Sequence, residues 1–312
     1  MENICLTACT ANATLIWIIL RNKNFITASN VIVVSLATSD FLLGIVISPV
    51  EMMHHLLPHF RIEGFGCLAH QVMMIFIPSV SIFHLLLIAV ERFIKIVYPL
   101  HYHFIATRRL IGGLIFVAWI FPFTLCLLPF FDVNQNSNSN TTDTGCSALD
   151  LIPCPYLYSV VIIILVICIT MAVLYSKIIS IAYRHAKQIR ELSAPKPSNN
   201  GLFRSSDFRA LIVLLMTVVY FVCSWTPFSI AIVETCASGY IFSQSFYDLS
   251  VLIAYLNATF NPLIYGLGNK ELRISLFYTL CRKKRTKVFP AVTEIATLPL
   301  KTTCNTFKTT SL

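Results

Sequence analysis

The chain of 312 residues is 56% hydrophobic and only 12% charged, with a mean hydropathy of +0.76. Soluble domains are typically about 45–50% apolar and about 25% charged, so this composition indicates a fold surrounded mainly by lipid. The net charge of +9 falls in short gaps between apolar runs, without a basic surface domain, and this placement argues against nucleic-acid binding.

Seven apolar runs recur along the chain, each long enough to form a membrane-spanning helix. A helix rises about 1.5 Å per residue, so a hydrocarbon core about 30 Å thick needs about 20 residues. The runs lack the period of two that a membrane β-barrel requires. We call them spans one to seven; they comprise residues 4–20, 28–52, 68–94, 111–131, 156–182, 209–235 and 246–267. The sequence therefore predicts an all-α integral membrane protein.

Basic residues predict the direction of threading. Lys and Arg cluster after spans one, three, five and seven, including the run at 282–285, whereas the alternate loops carry only Arg61. The positive-inside rule then predicts an extracellular N-terminus and a cytoplasmic C-terminus. The N-glycosylation sequon at Asn140 would lie in the outer loop between spans four and five. Span one is short, so either its helix is truncated or the true start lies upstream of Met1.

Polar residues interrupt the apolar spans. Asp40 lies in span two and Ser81 in span three, while Asn257 and Asn261 lie in span seven. A charge in mid-membrane costs at least about 2.5–3.5 kcal/mol, so it usually marks a functional site. One carboxylate among amide and hydroxyl oxygens could hold a monovalent cation; the alternative is a set of interhelical hydrogen bonds.

Charged residues also lie at the inner edge of the membrane. Span three ends at Glu91-Arg92, and span six begins near Asp207. An ion pair between Arg92 and Asp207 would hold the inner ends of these spans together, and its release would let span six swing outward. The alternative is two independent charges that extend into the interface.

Two prolines predict kinks at which helices can bend. Pro227 follows Trp225 in span six, and Pro262 follows Asn261 in span seven. Proline removes a helical hydrogen bond and bends the helix. Trp225 would lie just inside the first kink, where a ligand could press on it.

These markers together make the chain resemble the rhodopsin-like (class A) G protein-coupled receptors over nearly its whole length. The markers are Asn12, Leu36-Ala37 with Asp40, Cys67, Glu91-Arg92-Phe93, Trp119, Tyr175, Phe221, Trp225, Pro227, Asn261-Pro262 and Tyr265. The resemblance implies a seven-transmembrane helix bundle with an amphipathic eighth helix in the plasma membrane. It implies a heterotrimeric G protein as a partner, with arrestin as a second possible partner. It implies no catalytic residues and no required cofactor.

The resemblance also assigns roles to individual residues. It implies a disulfide from Cys67 to Cys146, with Cys154 as the alternative partner. Residues 1–268 would form the receptor domain, 269–281 the membrane-surface helix with Cys281 as a palmitoylation site, and 282–312 a disordered tail. An allosteric sodium pocket would comprise Asp40, Ser81, Asn257, Asn261 and Trp225. A G protein switch would comprise Glu91, Arg92, Asp207, Tyr175 and Tyr265, with hinges at Pro227 and Pro262.

The ligand is harder to name. Ile167 replaces the usual proline of span five, as in the melanocortin, lysophospholipid, cannabinoid and adenosine receptor group. Ile232 and Tyr255 replace the Asn and His typical of adenosine receptors, so adenosine is not supported. Met74 replaces the Asp of amine receptors, and Tyr255 replaces the retinal-binding Lys of opsins.

The residues expected to line the ligand pocket are mostly apolar. They are Met74, Ile75, Pro78, Ser159, Phe228, Ser229, Val251 and Tyr255. Such a lining fits a lipid-like molecule or a small peptide better than an amine. A transporter would usually show internal repeats, and none is visible; a membrane enzyme would need a catalytic cluster, and no His pairs with a nucleophile at motif spacing.

Overall fold

Helices form almost all of the part of the chain that the computed structural model describes, namely residues 2–57, 60, 62, 64–133, 152–192, 205–239 and 243–268. No β-strand occurs in those ranges. The α-helices are Glu2–Arg21, Ala28–Leu42, Ser48–Leu56, Gly64–Val97, Tyr102–Ile105, Arg108–Val133, Cys154–Leu192, Ser205–Ser238 and Gln244–Gly268; Lys23–Phe25 is a 3-10 turn and Leu43–Ile47 a π-helical segment. The prediction of an all-α fold is therefore confirmed.

Five helical segments within the described ranges are long and apolar enough to cross a membrane. They are Ala28–Val50, Gly64–Val97, Arg108–Phe130, Cys154–Ile181 and Leu215–Ser238, and a shorter apolar helix covers Cys5–Arg21. The helix of span five continues to Leu192, beyond the predicted end at 182, because apolar length marks the membrane-buried part of a helix and not where its hydrogen bonding stops.

Span three lies at the centre of the bundle. Within its most apolar window 61% of the residues are buried, against 22% for span four and 17% for span five. The two peripheral spans expose large apolar side chains such as Phe116 and Ile162, which are 64% and 60% exposed. In water such a surface would be costly, so these faces are the ones that meet lipid.

Span two contains a turn that sequence reasoning missed. After the regular helix that starts at the Thr27 cap, residues Leu43–Ile47 form a π-helical segment. The Ser48 N–H bonds to the Leu43 carbonyl, five residues back, just before Pro49. Because proline cannot donate to a preceding carbonyl, a widened turn here relieves the local conflict.

Candidate functional site: an inner switch, a buried carboxylate and an outer cavity

The inner end of span three carries a buried carboxylate paired with an arginine. Glu91 is 4% exposed, and its Oε2 lies 3.4 Å from the Nε of Arg92. The other oxygen, Oε1, accepts hydrogen bonds from the Ser29 hydroxyl at 2.7 Å and from the Tyr102 phenol. Charged groups at low exposure need such partners. The arginine is thus held by an acid that is itself fixed by span two and by the following loop.

Tyr102 connects the loop after span three to this pair. Burial, followed by the bond to Glu91, raises the pKa of Tyr102 to about 12, so the phenol keeps its proton and donates. The Nζ of Lys95 lies 5.7 Å from the centre of its ring. Sequence reasoning missed both Ser29 and Tyr102, because no motif links them to Glu91.

The other predicted switch residues divide into two groups. Tyr175 is 2% exposed and lies within electrostatic reach of Arg92 and Glu91. The side chains of Asp207 and Tyr265 lie outside the described residues. The ion pair between Arg92 and Asp207 therefore stays a prediction.

A second polar cluster surrounds Asp40 in the middle of the bundle. Its Oδ1 accepts from the Ser81 hydroxyl at 3.2 Å, and its Oδ2 accepts from the Asn261 amide at 2.8 Å. Ser39 and Ser81 share a further hydrogen bond of 3.0 Å. Among the described atoms, the Oδ1 of Asn261 and the Nδ2 of Asn257 are buried without a hydrogen-bond partner. Spans two, three and seven thus meet around one carboxylate with unused polar atoms.

A small cavity of about 10 Å³ adjoins Asp40. Its walls include Ser81, Asn257 and Trp225, so four of the five residues expected at the sodium pocket share one space. Asn261 contacts the same carboxylate without lining that space. Such a volume holds about one water-sized species.

A larger cavity of about 60 Å³ lies further out, between spans three, five and six. Its described walls are Gln71, Met74, Ile75, Pro78, Ser79, Leu157, Val160, Val161, Ile164, Phe221, Trp225, Phe228, Ser229 and Ile232. Drug-sized ligands usually occupy about 300–1,000 Å³, so this form of the cavity must widen to admit one. Trp225 lines both cavities.

Five of the eight predicted pocket residues line this cavity, whereas Ser159 and Val251 do not. Ser159 is exposed and donates to the Tyr156 carbonyl at 2.6 Å. It faces away because the cavity side of span five follows 157, 160, 161 and 164, one helical stripe that omits 159. Val251 belongs to the same apolar cluster as Met74, a cluster against which Phe228 packs. The side chain of Tyr255 lies outside the described residues.

A disulfide joins the beginning of the helix of span five to the end of the helix of span six. Cys154 bonds to Cys236, with their Cα atoms 5.6 Å apart, so Cys154 as the alternative partner of Cys67 is wrong. Cys154 is the first residue of the helix of span five, and Cys236 lies near the last residue of the helix of span six. Cys67 is disulfide-bonded, and its partner is outside the described residues. Cys146, Asn140 and Cys281 are also outside them, so their predicted roles are not tested.

A chain of hydrogen bonds joins spans two, three and four. The Trp119 indole donates to the Ser35 hydroxyl at 2.9 Å, and that hydroxyl lies 2.7 Å from the Nε2 of His84. The Nδ1 of His84 lies 2.7 Å from the Val80 carbonyl and must donate to it, so Nε2 accepts from Ser35. His84 is fully buried. In the sequence His84 is an isolated polar residue within an apolar run. Its hydrogen-bond partners become visible only from the packing of the helices.

Apolar side chains lie exposed on the loop beside Arg92. Leu100 is 84% exposed and Phe104 is 81% exposed. They flank Tyr102, which bonds to Glu91. Two exposed apolar side chains thus lie next to the pair of Glu91 and Arg92.

Comparison with known proteins agrees with this arrangement. Residues 11–265 match the family model described as 7 transmembrane receptor (rhodopsin family). The chain belongs to this family, and is therefore a multi-pass receptor of the plasma membrane that signals through G proteins and is not an enzyme.

Its relatives include three receptors from different animals. Trace amine-associated receptor 4 of Mus musculus is 26% identical over 87% of this chain and 82% of its own length. Trace amine-associated receptor 13c of Danio rerio is 29% identical over 86% and 81%. Trace amine-associated receptor 1 of Homo sapiens is 27% identical over 93% and 90%.

Proposed function

We propose that an extracellular ligand shifts this receptor between two states by pressing on the outer cavity, and that span six swings outward around Pro227 in the active state. The observation that carries the proposal is the paired Arg92 at the inner end of span three. Glu91 holds it at 3.4 Å while bonded to Ser29 and Tyr102. Freeing Arg92 would make its guanidinium available to a G protein.

The position of Trp225 supports a link between the two ends. Its side chain lines the outer cavity and also the cavity next to Asp40. It lies two residues before Pro227, where the helix lacks one hydrogen bond. A ligand that enlarges the outer cavity therefore displaces a residue at the hinge.

The exposed pair Leu100 and Phe104 supports a G protein contact at this end. Apolar groups at the core of an interface supply much of its binding energy. Their position next to Tyr102 gives one protein partner simultaneous access to the loop and to Arg92.

The residues around Asp40 fit a sodium ion. A carboxylate, the Ser81 hydroxyl and the unpartnered Oδ1 of Asn261 are hard oxygen donors of the kind that such ions prefer. When bound, the cation supplies a positive charge that offsets the buried carboxylate. Asp40 and Ser81, which line the small cavity, would hold it, and Asn261 would fix Asp40 through its amide. The convergence of these three residues from spans two, three and seven favours the compact, inactive packing.

For the ligand, we propose a lipid-like molecule or a small peptide with an apolar part that enters the outer cavity. The described wall of the cavity contains no carboxylate. Met74, which replaces the Asp of amine receptors, is buried and offers no negative charge to an amine ligand. The names of the relatives favour an amine as the second candidate. Phenethylamine and a neutral isostere of the same size distinguish the two, because only an amine site requires the charge.

The experiment for the switch is the substitution Glu91→Gln, which keeps the side-chain shape and removes its charge. Arg92 is 22% exposed, so its ion pair is worth about 1 kcal/mol after solvent screening. Its loss should raise basal GTPγS binding about fivefold across a panel of purified G proteins. Glu234→Gln, at an exposed acid on the outer part of span six, is the control. Equal basal binding in both variants, at matched surface expression, would overturn the proposed switch.

A further inference from the structure

The disulfide joins Cys154 and Cys236, which are 82 residues apart in sequence and lie on two consecutive helices. Cys154 is the first residue of the helix Cys154–Leu192, and Cys236 lies near the end of Ser205–Ser238. Their Cα separation of 5.6 Å is in the usual range for a disulfide. The outer ends of spans five and six are thus covalently tied, whereas their inner ends are not tied by a disulfide among the described residues.

The bond lies one helical turn above the outer cavity. Leu157 follows Cys154 by three residues and Ile232 precedes Cys236 by four, and both line the cavity. Leu157 and Ile232 are 4% and 6% exposed and belong to one apolar cluster, against which Cys236 packs. The disulfide therefore fixes the spacing of the two helices that form one wall of this cavity.

The lengths of the two arms of span six differ. Cys236 lies nine residues beyond Pro227, about 13 Å at about 1.5 Å per residue, whereas Ser205 lies 22 residues before it, about 33 Å away. A bend of about 10° at Pro227 moves the inner end by about 6 Å. Because the disulfide holds the short outer arm against span five, such a bend moves the long inner arm.

We propose that the Cys154–Cys236 disulfide is the fixed point of span six: it holds the outer arm against span five, so that bending at Pro227 moves the inner end alone. This inference rests on the movement of span six proposed above. Without the bond, the outer arm can also move, and span six has more arrangements of its inner end. Only some of these match the G protein, so the competent fraction of receptors falls.

The first test is the bond itself. Peptide mapping of the wild-type receptor by mass spectrometry, without reduction, should recover a peptide pair that joins Cys154 to Cys236. Recovery of both cysteines as free thiols, or joined to other partners, overturns the inference before any variant is made.

The second test measures coupling in the Glu91→Gln background. The pair Cys154→Ser with Cys236→Ser should reduce the rise in basal GTPγS binding about threefold at matched surface expression, and each single substitution should match the pair. Cys223→Ser, at an exposed free cysteine of the same span, should leave the rise intact. The apolar pair Cys154→Ala with Cys236→Val replaces the serine pair if that pair fails to reach the surface.

The outcomes separate this inference from the proposed function. If Glu91→Gln alone raises basal binding and loss of the disulfide leaves that rise unchanged, the fixed point is refuted and the switch stands. If Glu91→Gln alone has no effect, the switch is refuted and the inference falls with it. A threefold loss that Cys223→Ser reproduces also refutes the fixed point, since the effect would not need the bond.

Discussion

Ser35→Ala tests the polar contact among spans two, three and four. Ser35 accepts from Trp119 at 2.9 Å and donates to His84 at 2.7 Å, so alanine removes the partner of the buried His84 ring and of the half-buried Trp119 indole. In soluble proteins each such group costs about 1–3 kcal/mol, whereas single interhelical bonds in membranes average about 0.6 and reach about 1.7 kcal/mol. The loss of two such bonds in a membrane should therefore lower the free energy of unfolding by about 1–3 kcal/mol.

The assay is thermal unfolding of the purified receptor in detergent. A thiol-reactive dye would report exposure of the free cysteines Cys126 and Cys168, which are buried and half-buried. Thr38→Ala is the matched control, because Thr38 is half-buried in the same helix and, among the described residues, its hydroxyl bonds within its own helix, to the Val34 carbonyl. It should cost less than about 0.5 kcal/mol. Unfolding of both variants at the same temperature would refute the reasoning.

A double-mutant cycle sharpens the result. If the indole is a true partner, Trp119→Phe with Ser35→Ala should destabilise the receptor less than the sum of the two single changes, by about 0.5 kcal/mol or more. Strict additivity would show that Ser35 acts through something other than Trp119.

Three further predictions concern the switch, the cation site and the threading. Asp207→Ala should raise basal GTPγS binding at matched surface expression if Asp207 pairs with Arg92; unchanged binding would remove that ion pair from the mechanism. Asp40→Asn should abolish any inhibition of basal binding by NaCl relative to choline chloride, since the carboxylate is the charged ligand; retained sodium sensitivity would place the cation elsewhere. Asn140→Gln should remove a glycosidase-sensitive mass from the receptor at the surface of intact cells, and an unchanged mass would argue against an extracellular loop at Asn140.

The spans were predictable because apolar length is a property of local sequence. The all-α membrane bundle is confirmed, and the helix of Gly64–Val97 covers the predicted run at 68–94. Polar residues inside such runs are few, which is why Asp40, Ser81 and Asn261 could be named before their contacts were known.

The remaining features depend on the orientation of each helix about its axis and on where each helix ends. The partner of Cys154 could not be chosen from sequence spacing, since that spacing does not show which neighbouring helix end is close. Ser159 was assigned to the pocket by analogy, and its one-residue offset from the stripe of Leu157 and Ile164 turns it outward. His84 and Ser35 are 49 residues apart, so no local sequence pattern predicts their hydrogen bond.

The π-helical segment Leu43–Ile47 has a consequence for comparing this receptor with its relatives. One widened turn adds a residue without adding height, and so rotates everything beyond it by about 100° relative to a regular helix. A gapless alignment with a relative that lacks this turn would pair each residue of the helix Ser48–Leu56 with one that points in another direction. Substitutions copied from such a relative into this stretch should therefore be shifted by one position.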